Sequence, residues 1–101
     1  MSLVCTQENR TLTAHISGEL DHHAARQIMQ GLEGQIDAAL PTLLTVDLAG
    51  LTFTDSSGIA VILRTWKQAQ SLHATLRITR TPAQADRVFR AAGLHRIIPF
   101  D

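Results

Sequence analysis

The sequence predicts an α/β fold in which a mixed β-sheet is covered by α-helices. Short segments with an apolar residue at every second position alternate with longer segments whose apolar residues recur every three or four positions. The predicted order is strand, strand, helix, strand, helix, strand, helix, strand, and its crossovers favour partly parallel pairing. A chain of 101 residues is the size of one domain, so we expect one domain over residues 1–101.

Composition and charge predict a packed domain that neither binds nucleic acid directly nor spans a membrane. The chain is 45% hydrophobic and 18% charged, which is typical of a packed domain and argues against disorder. Nine basic residues balance nine acidic ones, so we expect no direct binding to nucleic acid. The apolar runs are too short to span a membrane. Because Cys5 is the only cysteine and residues 1–3 do not resemble a secretory signal, we expect a reducing, cytoplasmic location.

The first half of the chain predicts a hairpin followed by a helix. Residues 3–6 and 11–17 have the pattern of two short strands joined by a polar turn. Asp21 is a good N-cap for a helix that starts near His22. This helix is expected to pack by an apolar stripe formed by Ala25, Ile28, Leu32, Ile36 and Ala39 or Leu40.

The second half predicts two further strand and helix pairs. Residues 43–48 form an apolar strand, and the helix after it has a predicted core stripe of Ile59, Ile62, Leu63, Trp66 and Ala69 or Gln70. Residues 74–79 form the next strand. Thr81 and Pro82 predict the start of the last helix, with Thr81 as its cap and Pro82 in its first turn, and Gly93 predicts its end. Residues 96–100 are expected to form a final strand.

A polar junction at residues 54–58 separates the central strand from the second helix. Asp55, Ser56 and Ser57 are residue types that commonly cap helices, and this structural role is the simplest interpretation. A serine nucleophile would need a positioned base and oxyanion donors, and the chain has no Gly-x-Ser-x-Gly elbow. We therefore expect no enzyme activity. Gly58 is compatible with three interpretations: close packing, the approach of a partner, or simple relaxation of the first helical turn.

The five histidines do not predict a metal site. His22 and His23 are adjacent, so on a helix their side chains point in different directions, and no ligand cluster accompanies them. A Gly-rich phosphate loop with its lysine is also missing, so we expect no cofactor, and any ATP would belong to a partner.

Three motifs give the chain a resemblance to a known family. Residues 46–59, with the sequence VDLAGLTFTDSSGI, resemble the signature of STAS domains. Residues 18–24, GELDHHA, and residues 93–98, GLHRII, add two matches in the same order. Together the motifs resemble the bacterial anti-sigma factor antagonists, especially the sporulation antagonists of anti-sigma F factors. The resemblance covers nearly the whole chain.

The resemblance implies a STAS fold and a regulatory switch. In that family, the unphosphorylated protein binds an anti-sigma factor that is also a serine kinase, and the sigma factor is released. The resemblance places the phosphorylated serine directly after the motif's aspartate, at Ser56, and a serine phosphatase would reset the switch. The implied partner-binding residues are Asp21, His22, His23, Thr54, Asp55, Ser56, Ser57 and Gly58. An alternative is a STAS scaffold or accessory subunit of another signalling or lipid-transport complex.

One departure from the family is visible. Family members commonly carry another helix after the last strand, whereas this sequence stops at Asp101. The fold is therefore expected to lack that final helix. Exposure of part of the sheet, a homodimer and an altered choice of partner are the consequences that the sequence leaves open.

Overall fold

A computed structural model describes residues 1–101 and shows a mixed five-stranded sheet with three α-helices, which confirms the predicted α/β class. The strands are β1 (Ser2–Glu8), β2 (Thr11–Leu20), β3 (Leu43–Asp47), β4 (Leu51–Thr54) and β5 (Thr75–Thr79). The helices are α1 (His22–Ala39), α2 (Ser56–Ser71) and α3 (Ala83–Ala91), and a 3-10 turn follows at Leu94–Arg96. No helix is both long enough and apolar enough to cross a membrane.

Strand β2 organises the sheet. It forms the predicted antiparallel hairpin with β1, and its first half pairs in parallel with β3, which pairs in parallel with β5. Its last residues pair in parallel with β4. Because β2 is 10 residues long, it extends beyond β3 and has an edge free for the four-residue strand β4. The ends of β2 and β4 therefore lie beside each other.

The core lies between the helices and one face of the sheet. In β2, Leu12, Ala14 and Ile16 are buried, whereas the residues between them are only half-buried. The predicted stripe of α1 is confirmed from Ala25 to Ile36. Leu40 is 52% exposed and is not part of the core, because the chain leaves the helix there in a left-handed conformation with φ 46°.

Helix α2 packs by a broader face than predicted. Ile62 and Ala69 are buried as expected, but the other predicted apolar residues are only partly buried at the edge of the core. Val61 and Thr65 are buried instead. The helix contacts α1, α3 and β5, so it is covered on several sides rather than along one stripe.

The structure differs from the predictions at three places. Strand β4 was not predicted, because it is short and its two middle residues are exposed. The segment predicted as a strand at 96–100 is irregular: Arg96 ends the 3-10 turn, where its N–H donates to the Gly93 carbonyl at 3.1 Å, and only Phe100 forms a bridge, with Ile78. Helix α3 starts after Pro82 rather than at it, and it has no side-chain cap.

Candidate functional site

Two helix N-termini meet at the end of the sheet where β2 and β4 finish. Leu20 ends β2 and Thr54 ends β4, and these two residues are direct partners in the parallel pairing. Each is followed by an aspartate that caps the next helix. The Asp21 Oδ1 atom accepts a hydrogen bond from the N–H of Ala24 at 2.9 Å, and the Asp55 Oδ1 atom accepts one from the N–H of Ser57 at 2.8 Å. Helices α1 and α2 therefore begin side by side.

Ser56 is the first residue of α2, and it is exposed. The sequence left open whether the serines cap the helix or serve another purpose. In the structure the Asp55 carboxylate is the cap, so neither serine side chain fills that position. Ser57 is half-buried, and its N–H is taken up by the cap. The Ser56 side chain is therefore left at the surface in the first turn of a helix.

Thr54 and Gly58 fix the first turn of α2 against the end of β4. The Thr54 side chain is fully buried, and its hydroxyl donates to the Leu20 carbonyl at 3.0 Å. A Cβ atom on Gly58 would lie 2.0 Å from Thr54 Oγ1, so only glycine fits this close approach of α2 to β4. Both residues were predicted to bind a partner. Both are buried in the structure, where they pack against each other beneath the first turn of α2.

Gln84 is a site residue that the sequence did not reveal. Its carboxamide lies in the first turn of α3 and bonds both backbone groups of Thr54. The N–H of Thr54 donates to Gln84 Oε1 at 3.0 Å, and Gln84 Nε2 donates to the Thr54 carbonyl at 2.8 Å. The carboxamide of Gln84 thus makes the two backbone hydrogen bonds that a neighbouring strand would otherwise make with the end of β4. Because the two residues are 30 positions apart, no local pattern predicts this contact.

The first turn of α1 places two histidines at the same end of the sheet. His22 and His23 are exposed, and their rings form an edge-to-face pair with centroids 5.9 Å apart. The hydrogen bond from Ala24 N–H keeps the pKa of Asp21 below its usual value, so this cap stays charged. No group of three or more His, Cys, Asp and Glu side chains is arranged to hold a metal ion.

An ion pair between the exposed side chain of Arg80 and the buried carboxylate of Asp47 fixes the connection that leads into β4. Asp47 ends β3 and is only 6% exposed. Its carboxylate accepts hydrogen bonds from Arg80 Nε at 3.2 Å and from the N–H of Ala49 at 3.0 Å, and it lies 3.1 Å from His15 Nδ1. The Arg80 guanidinium lowers the pKa of Asp47 from its usual value. Asp47 thereby ties β2, β5 and the turn before β4 together.

Comparisons with known proteins agree on one family. The model of the STAS domain matches residues 2–101. An anti-sigma F factor antagonist of Lysinibacillus sphaericus is 30% identical over 84 residues, which cover 83% of this chain and 72% of that relative.

Two solved structures share the fold. One is the anti-sigma factor antagonist SpoIIAA in its unphosphorylated form, with a TM-score of 0.84 and 24% identity, covering 99% of this chain and 88% of that chain. The other is the Bacillus cell fate determinant SpoIIAA in the phosphorylated form, with a TM-score of 0.76 and 24% identity, covering 99% of this chain and 91% of that chain.

Proposed function

Because this chain belongs to the STAS domain family, we propose that it is an anti-sigma factor antagonist controlled by phosphorylation of Ser56. The unphosphorylated protein binds an anti-sigma factor that is also a serine kinase, and this binding releases a sigma factor. Phosphorylation of Ser56 ends the interaction, and a serine phosphatase restores it. The observation that carries the proposal is the exposed Ser56 in the first turn of α2, beside a separate residue that caps the helix.

The proposed partner surface is the end of the sheet where α1 and α2 begin. His22, His23 and Ser56 are exposed there and supply direct contacts. Asp21 and Asp55 hold the two helix starts through their caps. The first turn of α2 is held in position beneath this surface by the less exposed residues Thr54, Ser57 and Gly58.

The charge of a phosphate explains why the interaction would end. Phosphorylation adds about −1.5 to −2 charges and three acceptor oxygens. On Ser56 this group stands next to the charged cap Asp55, and a partner that fits the bare hydroxyl has to desolvate it or pair with it. The N–H groups at the start of α2 partly stabilise the anion. The domain therefore keeps its fold while the complex weakens.

Localising the phosphate tests the proposal. The purified chain is incubated with its cognate anti-sigma kinase and ATP, and its peptides are analysed by mass spectrometry. We expect one phosphate, on Ser56. The Ser57→Ala variant is the matched control and should still accept it, whereas Ser56→Ala should not. Phosphate on Ser57 of the native chain, or undiminished incorporation into Ser56→Ala, would contradict the assignment.

A further inference from the structure

The sequence at the start of α3 contains a capping motif whose hydrogen bonds do not form in the structure. Thr81, Pro82, Ala83 and Gln84 follow the pattern of a capping box, in which a threonine caps the helix and a glutamine three residues later bonds back to it. In the structure, however, Pro82 occupies the cap position, and no side chain caps the helix. The Thr81 hydroxyl is buried without a hydrogen-bond partner. Gln84 bonds Thr54 instead.

We propose that Gln84 is the positioning residue of the Ser56 site and that its side chain exchanges between Thr54 and Thr81. In the observed state, the carboxamide of Gln84 holds the end of β4, and the hydroxyl of Thr81 is left unsatisfied. In the second state, Thr81 caps α3 and Gln84 bonds back to the N–H of Thr81. The backbone N–H and carbonyl of Thr54 then lose the partners that Gln84 provides.

The two states differ at Pro82 in one backbone angle. Pro82 has φ −62° and ψ 155°. The φ value already suits a helix, so Pro82 enters the first turn of α3 when ψ alone changes from this extended value to about −42°, the helical value. Thr81 precedes a proline and therefore favours the extended conformation that a cap residue needs. An unsatisfied buried hydroxyl is costly, and its capture by the helix start offsets the loss of the Thr54 contacts.

The exchange matters for the switch because Thr54 supports the first turn of α2. Thr54 bonds Leu20 across to β2 and leaves room only for glycine at position 58. While Gln84 bonds Thr54, the backbone just before Ser56 is held by β2 on one side and by α3 on the other. Release of Gln84 loosens that presentation. This consequence rests on the proposed function of Ser56, whereas the exchange itself does not.

Amide hydrogen exchange measured by NMR tests the proposal without any partner. The quantity is the protection of the Thr54 N–H relative to that of Val46, which lies in the buried part of β3. Gln84→Met keeps the length of the side chain but removes both hydrogen-bonding groups. We expect relative protection of Thr54 to fall about tenfold, as for the loss of one to two hydrogen bonds. Thr81→Val removes the competing hydroxyl and should raise it.

A conservative variant separates positioning from general stability. Gln84→Glu keeps an acceptor for the Thr54 N–H, but at neutral pH its carboxylate repels the Thr54 carbonyl. Protonation restores a donor, so relative protection should recover as the pH falls below the carboxyl pKa, about 4.3 when unperturbed. Unchanged relative protection in Gln84→Met, or no effect of Thr81→Val, would overturn the exchange. Failure of the kinase to modify Ser56 would instead contradict the proposed function, so the two failures are distinguishable.

Discussion

Asp21 and Asp55 occupy equivalent positions, each directly after one of two parallel strands whose last residues, Leu20 and Thr54, are paired in register. Both carboxylates cap the helix that follows them. The pairing of two strands therefore brings two helix starts together, and with them the histidines of α1 and the first serine of α2. Motifs that are more than 30 residues apart in the chain form one surface for this reason.

Replacement of Asp55 tests whether its carboxylate is the cap of α2. Asp55→Ala should lower the free energy of unfolding by about 1 kcal/mol, because the N–H of Ser57 loses its acceptor. Asp55→Asn is the matched control and should remain close to the native protein, since asparagine caps about as well. Urea denaturation monitored by circular dichroism measures the difference. Equal losses in the two variants would argue against the capping role.

Two glycine substitutions separate close packing from helix propensity. Gly58→Ala places a methyl group 2.0 Å from Thr54 Oγ1, so we expect a loss of about 1–3 kcal/mol in the free energy of unfolding. Gly34→Ala is the control in α1, where a Cβ atom meets nothing within 4 Å, and it should gain about 0.5–1 kcal/mol. Thermal unfolding of both variants tests the pair. A neutral Gly58→Ala would show that α2 does not rest on Thr54.

The histidines of α1 should affect binding and leave the fold unchanged. His22→Ala and His23→Ala remove exposed side chains, so unfolding free energies should stay within about 0.5 kcal/mol of the native value. Each should weaken binding to the anti-sigma factor about tenfold, because each supplies a direct contact in the proposed partner surface. Gln35→Ala, an exposed position near the other end of α1, is the control. If calorimetry gave the two histidine variants the same affinity for the anti-sigma factor as Gln35→Ala, the histidines would not be part of the interface.

Acid should destabilise the native chain partly through Asp47. Its pKa is lower in the folded state than in the unfolded state, because Arg80 and the N–H of Ala49 bond the charged carboxylate. This stabilisation is present above the unfolded pKa of about 3.9 and is lost as the pH falls through the lower, folded-state value.

Urea unfolding between about pH 5 and pH 2 measures this loss. Asp47→Asn should show a shallower decline of stability with falling pH than the native chain. Asp37→Asn, which removes an exposed carboxylate from α1, controls for the change in net charge. The same decline in Asp47→Asn and the native chain would mean that Asp47 makes no contribution to acid stability.

Local chemistry explains why much of the fold was predictable. The alternation in β2 and the stripe of α1 state which faces are buried, and the aspartate at position 21 marks where a helix begins. The strand predicted at residues 96–100 failed because local bonds after Gly93 form a 3-10 turn that the apolar residues alone do not reveal. Strand β4 was missed because only its two end residues are buried.

The candidate site was only partly predictable for a related reason. Ser56 and its cap follow one another in sequence, so a motif identifies them. Burial of Thr54 and its bonds to Gln84 depend on the meeting of β2, β4 and α3, which no short pattern encodes. The predicted cap Thr81 shows the limit most clearly, because its capping partner Gln84 is engaged by a distant strand.

The affinity of the anti-sigma factor for the two forms of this chain tests the central claim most directly. The unmodified protein and the protein phosphorylated on Ser56 are titrated separately into the anti-sigma factor by isothermal calorimetry, with Ser56→Ala as the control. We predict that the unmodified and Ser56→Ala forms bind alike and that phosphorylation weakens binding by about tenfold or more. Equal affinities of the phosphorylated and unmodified forms would contradict the proposed switch.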